Sequence, residues 1–234
     1  MEIDNFIEEI TKLGINYDKK KLNQLEKYYE LLVEWNKFMN LTGITEKKEV
    51  YLKHFYDSLT ICKSIDLNNF ESLCDVGTGA GFPGIVLKIF FPNLNIVLID
   101  SLNKRINFLN EVIKELGLEN ITIIHSRIEE YGLKNREQFD IVTARAVAPL
   151  NVLLEYCVPL VKVNGYFVAL KGNIEEEINN SKNALVKLDC SIDECLNFKL
   201  PIENSNRSIV RITKKIKTNK IFPRKYSEIK KNPL

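Results

Sequence analysis

Long apolar runs, paired cysteines and clustered histidines are what this chain lacks, and each absence closes off a class of protein. No stretch approaches the twenty or so apolar residues of a membrane-crossing helix, so no membrane contact is expected. The start, Met1-Glu-Ile-Asp-Asn5, is acidic and carries no apolar run of the kind a secretory leader has, so none is expected. The five cysteines, Cys62, Cys74, Cys157, Cys190 and Cys195, form no C-x-x-C pair and are odd in number. They read as reduced, buried thiols of a cytoplasmic protein, with neither a disulfide framework nor a zinc ribbon. The two histidines, His54 and His125, make no cluster with cysteines, and no metal site is expected. Charge of one sign is also scarce. Thirty-three Lys and Arg against 31 Asp and Glu leave +2, a balance that by itself points to no class of partner.

What is present is a concentration of glycine. The chain has ten glycines, and four of them, Gly77, Gly79, Gly81 and Gly84, interrupt one short stretch, Leu73-Cys-Asp-Val-Gly-Thr-Gly-Ala-Gly-Phe-Pro-Gly84. The apolar run Ser72–Val76 precedes it, and Ile85, Val86, Ile89 and Phe90 follow at helical spacing. That is strand, tight turn, helix. Glycine permits positive φ in such a turn and lets a ligand approach the backbone, while the helix-start amides face a polar group. Gly79-x-Gly81-x-x-Gly84, with Asp100 ending the next strand, also satisfies the dinucleotide fingerprint. The pattern alone therefore leaves NAD and S-adenosylmethionine both open. Asp75, just before the turn, suits a ligand carrying an ammonium and a sulfonium better than a pyrophosphate.

The length suffices for one sizeable domain with an appendage. Residues 1–65 read as a helical extension. Phe6, Ile10 and Leu13 mark a short helix, and Leu22, Leu25, Tyr29, Leu32, Trp35 and Met39 a long amphipathic one closed by Asn40-Leu-Thr-Gly43. Trp35 is read as a core residue. A third helix carries Val50, Tyr51, His54, Phe55 and Leu59, with His54 and Asp57 on adjoining positions; a lone histidine there is most simply structural. Residues 66–215 alternate strand and helix, with strands at Ser72–Val76, Asn95–Asp100, Ile121–His125, Phe139–Thr143, Tyr166–Leu170, Ile192–Leu200 and Ser208–Thr213. Helices are expected over 103–116, around 150–160 and over 174–188. This rhythm predicts an α/β fold, a mostly parallel twisted sheet covered on both faces, whose ligands bind at the carboxyl ends of the strands.

Several residues should gather there. Asp100 can accept both hydroxyls of a ribose, whichever cofactor binds. Arg127-Ile-Glu-Glu130 follows the third strand, where backbone groups can read an adenine edge or Glu129 and Glu130 can form a helix's acidic first turn. Arg145 ends the fourth strand and is read as a ligand or phosphate contact, and Lys171 ends the fifth. No Asn-Pro-Pro-Tyr or Asp-Pro-Pro-Tyr follows the fourth strand, and no Pro-Cys supplies an attacking thiol. An acceptor that needs neither proton removal nor covalent activation fits best, and guanine N7 is one. From Arg207 onward Arg211, Lys214, Lys215, Lys217, Lys220, Arg224, Lys225, Lys230 and Lys231 stand against the single acid Glu228, with Phe222 and Tyr226 among them. Residues 216–234 thus read as a basic tail, either an RNA-binding segment or a solvated extension.

Taken together, Trp35-Asn36 with Asn40-Leu-Thr42, His54 with Asp57-Ser-Leu59, Asp75-Val-Gly-Thr-Gly-Ala-Gly-Phe-Pro-Gly84, Asp100-Ser101 with Lys104-Arg105, Arg145-Ala146, Leu170-Lys-Gly172 and Pro223-Arg-Lys225 with Lys231-Asn-Pro-Leu234 resemble one family. It is the bacterial small-subunit ribosomal RNA methyltransferase G family, also called glucose-inhibited division protein B. The similarity runs from about residue 20 to the end. It departs where the tail has Ser227 and Ile229 in place of the family's usual Gly and Pro. The resemblance implies a class I methyltransferase (Rossmann-like) fold, S-adenosylmethionine as cofactor, and N7-methylation of a guanine in the decoding-region loop of 16S ribosomal RNA. It carries family cofactor contacts to Gly77, Phe82, Ile128, Glu129 and Arg145, beside the Asp75, Gly79 and Asp100 read above. It makes His54, Asp57 and Arg145 pocket candidates without naming a general base. RNA contacts are expected at Lys104, Arg105, Lys171, Arg207, Arg224 and Lys225. An NAD-dependent oxidoreductase and a non-catalytic ribosome- or RNA-binding protein are the alternatives.

Overall fold

A computed structural model describes all 234 residues. Helices α1 (Ile3–Lys12) and α2 (Lys19–Met39) open the chain. Asp18 caps α2, its carboxylate accepting from the Lys21 amide at 2.8 Å. Asn40 ends it in the left-handed region at φ 48°, and the Asn36 side chain accepts from the Leu41 and Thr42 amides at 2.6 and 2.9 Å. Gly43 takes no part in this cap. The expected stripe Leu22, Leu25, Tyr29, Leu32, Trp35 and Met39 packs on the core, and Tyr28 and Leu31, not part of that reading, are buried beside it. Trp35 packs its ring 5.7 Å from Phe108, as a core residue should. The third helical region is one run wound three ways: α3 (Lys47–Val50), a π-helical stretch over Tyr51–Tyr56, and α4 (Asp57–Leu59).

Seven strands form one sheet, β1 (Ser72–Val76), β2 (Asn95–Asp100), β3 (Ile121–His125), β4 (Phe139–Arg145), β5 (Val161–Lys171), β6 (Cys190–Lys199) and β7 (Asn206–Lys214), in the order β3-β2-β1-β4-β5-β7-β6. The first five are parallel, and β7 runs antiparallel to both β5 and β6. Connecting helices are α5 (Gly84–Phe90), α6 (Asn103–Leu116), α7 (Ile128–Lys134), α8 (Leu150–Cys157), α9 (Glu175–Asn180) and α10 (Lys182–Lys187). The expected single helix over 174–188 breaks at Ser181, whose buried hydroxyl bonds the Glu177 carbonyl at 2.6 Å. Chain order reverses between β1 and β4, which makes their carboxyl ends the switch point of the sheet.

Strand alternation divides the core between two faces. Leu73, Ile96 and Ile141 pack with α1, α2, the π-helical stretch, α5 and α6. The N-terminal helices therefore share the sheet's own core, with Phe6, Tyr28 and Phe55 in ring contact with Phe90 and Phe82. Cys74, Val76 and Val142 pack the other way, against α8 and α10. The last 20 residues join this second face. Phe222, Ile229 and Leu234 are buried in it, and a short helix α11 (Tyr226–Lys231) forms among them. No helix is long and apolar enough to cross a membrane.

Candidate active site

The glycine turn is tied into the sheet from both sides. The Gly77 and Thr78 amides donate to the Ile99 carbonyl at 2.9 and 3.1 Å, which brings the turn over the end of β2. Gly77 has φ +66°, and a methyl group there would lie 2.6 Å from Val147 Cγ2. Gly84 starts α5 against β1 and β2, where a methyl group would lie 2.2 Å from Leu98 Cδ2 and 2.8 Å from Asp75 Oδ2. Asp75 is fully buried beneath the turn. Its Oδ2 accepts from Thr78 Oγ1 at 2.6 Å and from the Gly84 amide at 2.8 Å. Its Oδ1 is buried without a donor, and burial pushes the carboxyl up to about 6. From α2, the buried Tyr28 hydroxyl donates to the Ala80 carbonyl, so the N-terminal layer also holds the turn.

In front of this turn lies a cleft of about 660 Å³, bounded by the carboxyl ends of β1, β2, β3 and β4. Asp100 forms its polar side: Oδ1 accepts from the Leu102 amide at 2.9 Å, and Oδ2 from the Gly79 amide and Arg105 Nη1, both at 3.0 Å. Two of those donors are backbone; Arg105 is the one that can swing away. Beyond Ser126 the lining turns apolar through Ile128, Val152 and Tyr156, with the Glu129 carboxylate buried one residue past Ile128.

A second cleft of about 380 Å³ opens on the far side of Ala146, which lines both. Ala146 itself has φ 56°, an uncommon conformation for a residue with a Cβ. Asp57 organises this second cleft. Its Oδ2 accepts from Arg145 Nη1 at 3.0 Å and its Oδ1 from Arg207 Nε at 2.8 Å, with all three groups partly or wholly buried. Arg145 also donates to the Lys53 carbonyl at 3.2 Å and lays its guanidinium over the Phe82 ring, 5.2 Å from its centroid. On the ring stacks His54, 4.5 Å away at 18°. His54 Nδ1 faces the Lys53 carbonyl at 3.2 Å, which leaves Nε2 to accept from the Thr42 hydroxyl at 2.9 Å. Burial, with Arg145 nearby, lowers His54 to about 4, so it is neutral at pH 7. The lining carries Lys53, Arg145, Lys171 and Arg207 against Asp57 and Glu177, four cations to two carboxylates.

The sequence-predicted residues therefore divide. Gly77, Asp100, Ile128 and Glu129 line the larger cleft, whereas Gly79 and Asp75 support its turn; Arg145 lines the second, and Phe82 is buried behind it and His54. His54 and Asp57 come together with Arg145 as a unit. Among the expected RNA contacts, Arg105 is paired with Asp100 in the larger cleft, and Lys104 donates to the Met39 carbonyl at 2.8 Å. Lys171 is held by Glu177 and the Ala148 carbonyl, and Arg207 by Asp57. Arg224 is held most tightly of these. Its amide, Nε and Nη2 all engage the wholly buried Glu155 at 2.6 to 2.9 Å, so it anchors the tail. Lys225 is exposed and without an ion-pair partner. Sequence reading missed that the tail lines the larger cleft; the apolar spacing of Phe222, Tyr226 and Ile229 was the available signal. No group of His, Cys, Asp and Glu side chains is arranged to hold a metal ion.

Comparison with known proteins agrees with this geometry. Residues 21–206 match the family model of rRNA small subunit methyltransferase G. Ribosomal RNA small subunit methyltransferase G of Bacillus subtilis is 51% identical over all of this chain and 99% of its own length. That of Lysinibacillus sphaericus is 51% identical over the full length of both. In fold, the chain is similar to a SAM dependent methyltransferase from Aquifex aeolicus, with a TM-score of 0.55 at 18% identity over 74% of this chain and 96% of that one. The sheet order is thus that of a class I methyltransferase, and the chain belongs to the rRNA small subunit methyltransferase G family.

Proposed function

We propose that this protein uses S-adenosylmethionine to methylate N7 of a guanine in the decoding-region loop of 16S ribosomal RNA, acting in the cytoplasm on the small ribosomal subunit or its assembly intermediate. The observation that carries this reading is the pair of clefts meeting at Ala146, one with a carboxylate at the end of β2 and the other lined by excess cations. The larger cleft fits the donor. Asp100 offers acceptors for the ribose hydroxyls, Ile128 and Tyr156 an apolar surface for a purine, and Gly77 a backbone that can be approached closely. The unpartnered Asp75 Oδ1 lies behind the turn as a buried acceptor for an ammonium or its bridging water. When bound there, S-adenosylmethionine supplies a methyl group on an electrophilic sulfonium.

The second cleft then holds the base that accepts the methyl. Guanine N7 carries a free lone pair, so no side chain has to remove a proton, and positioning is the principal task. The site is built accordingly. His54 is neutral with both ring nitrogens engaged, so it serves as a flat wall stacked on Phe82 and takes no proton. Arg145, fixed by Asp57 and the Lys53 carbonyl, stands at the end of β4 beside the shared Ala146. Lys171 and Arg207 add positive charge for the RNA backbone, attraction that weakens with salt. The test is incubation with labelled S-adenosylmethionine and small subunits from cells lacking the gene, with modified nucleotides mapped by mass spectrometry. New 7-methylguanosine at one position in the decoding-region loop is expected; label at another atom or in another RNA would overturn the reading.

A further inference from the structure

The tail is held to the sheet's second face by more than charge. Phe222, Ile229 and Leu234 are buried there, Arg224 is bound to Glu155, and Arg136 donates to the Thr218 carbonyl at 2.6 Å and to that of Phe222. This anchoring presents one side of α11 to the larger cleft, whose lining includes Tyr226, Ile229, Lys230 and Pro233. The Tyr226 ring receives the Arg127 guanidinium 4.5 Å from its centroid. Arg127 in turn reaches Glu129 at 3.4 Å, so the residues on either side of Ile128 are joined to the tail.

Polarity fixes which part of a ligand meets this wall. Asp100 and Ser101 form the cleft's ribose-accepting side, while Ile128, Val152, Tyr156, Ile229 and Pro233 form its apolar side. A purine belongs on the apolar side, and α11 covers it. We propose that Tyr226 is a cofactor-contacting residue, the tail's wall over the nucleoside end of the donor, so that the tail completes the cofactor site as well as offering Lys225 outward to RNA. The proposal rests on the reading that this cleft holds S-adenosylmethionine.

Calorimetry on the full-length chain with S-adenosylmethionine and with S-adenosylhomocysteine tests it. Tyr226 is 42% exposed, so its truncation should leave the melting temperature nearly unchanged. Tyr226→Ala is expected to weaken both ligands by the same factor of about ten, because the nucleoside is common to them. Tyr226→Phe, which keeps the ring, should bind as the wild type does, and so should Lys225→Ala. Unchanged affinity in Tyr226→Ala overturns the proposal alone, as does a loss confined to the sulfonium ligand. A wild-type chain that binds neither ligand overturns the proposal together with the reading beneath it.

Discussion

The two clefts on either side of Ala146 are made in different ways. The larger is made by backbone: a glycine turn bonded to the next strand's carbonyl, with Asp100 receiving the Gly79 and Leu102 amides. That polar side lies within one strand-turn-helix unit and the strand beside it, while α7, α8 and the tail supply the apolar side. The second is made by side chains from remote segments. Asp57 pairs with an arginine 88 residues away and another 150 residues away, and all three are desolvated together. A backbone-made wall of the first kind is in place once its local unit forms. A site of the second kind holds only while its charges compensate one another, so damage to it should appear as instability before it appears as lost binding.

The largest effect expected from this contrast is at Asp57. Asp57→Ala leaves Arg145 and Arg207 without their shared carboxylate, and a loss of about 3–5 kcal/mol in urea denaturation is expected. A loss below about 1 kcal/mol, the range of screened surface pairs, would erase the contrast. Next is Arg224, where the tail repeats the same construction. Arg224→Ala strands the buried Glu155 and should cost about 3 kcal/mol. Lys225→Ala, one residue on, should leave stability unchanged and lower the salt slope of RNA binding by about 0.7. Equal effects of the two substitutions on stability would mean that the tail is not anchored as described.

How much was legible follows the same division. Strand bounds Ser72–Val76, Asn95–Asp100 and Ile121–His125 and the helix over 103–116 could be read from periodicity because each is a local pattern. So could the glycine turn and Asp100, since spacing along the chain is spacing in the site. The second cleft was visible only in part. Arg145 stood out by its place at a strand end, and His54 and Asp57 through family resemblance, but no local pattern says that Asp57 binds Arg207 or that Phe82 stacks on His54. The partner of Arg224 was hidden for a physical reason. A run of cations reads as solvated or RNA-facing unless the opposing carboxylate is known, and Glu155 lies 69 residues earlier in the chain.

At the larger cleft the expected loss is smaller and of another kind. Asp100→Ala removes the acceptor for the Gly79 amide and the one proposed for the ribose, hydrogen bonds to a charged group worth about 1.5–3 kcal/mol. S-adenosylmethionine affinity should fall roughly 10- to 100-fold by calorimetry, while RNA affinity in filter binding stays unchanged. Loss of RNA affinity in this variant would mean that the two clefts are not separable sites.

The finest distinction between the clefts is their response to protons. His54, in the wall of the second cleft, is lowered from its ordinary 6.5 to about 4 by burial and Arg145. Between those values the unfolded chain takes up a proton that the folded one refuses, so stability falls as pH falls through the window. Asp75, beneath the first cleft, is raised from 3.8 to about 6 by burial. There the folded chain takes up the proton first, so stability rises as pH falls through nearly the same window. At 1.36 kcal/mol per unit each contribution is on the order of 2–3 kcal/mol, and their sum in the wild type is close to zero. Removing one group exposes the other. The stability of His54→Gln, measured against the wild type at each pH, should improve by about 2–3 kcal/mol between pH 7 and pH 4, and that of Asp75→Asn should worsen by a similar amount. Two differences that stay flat with pH would mean that neither group is buried as described; two of the same sign would mean that the clefts do not oppose each other.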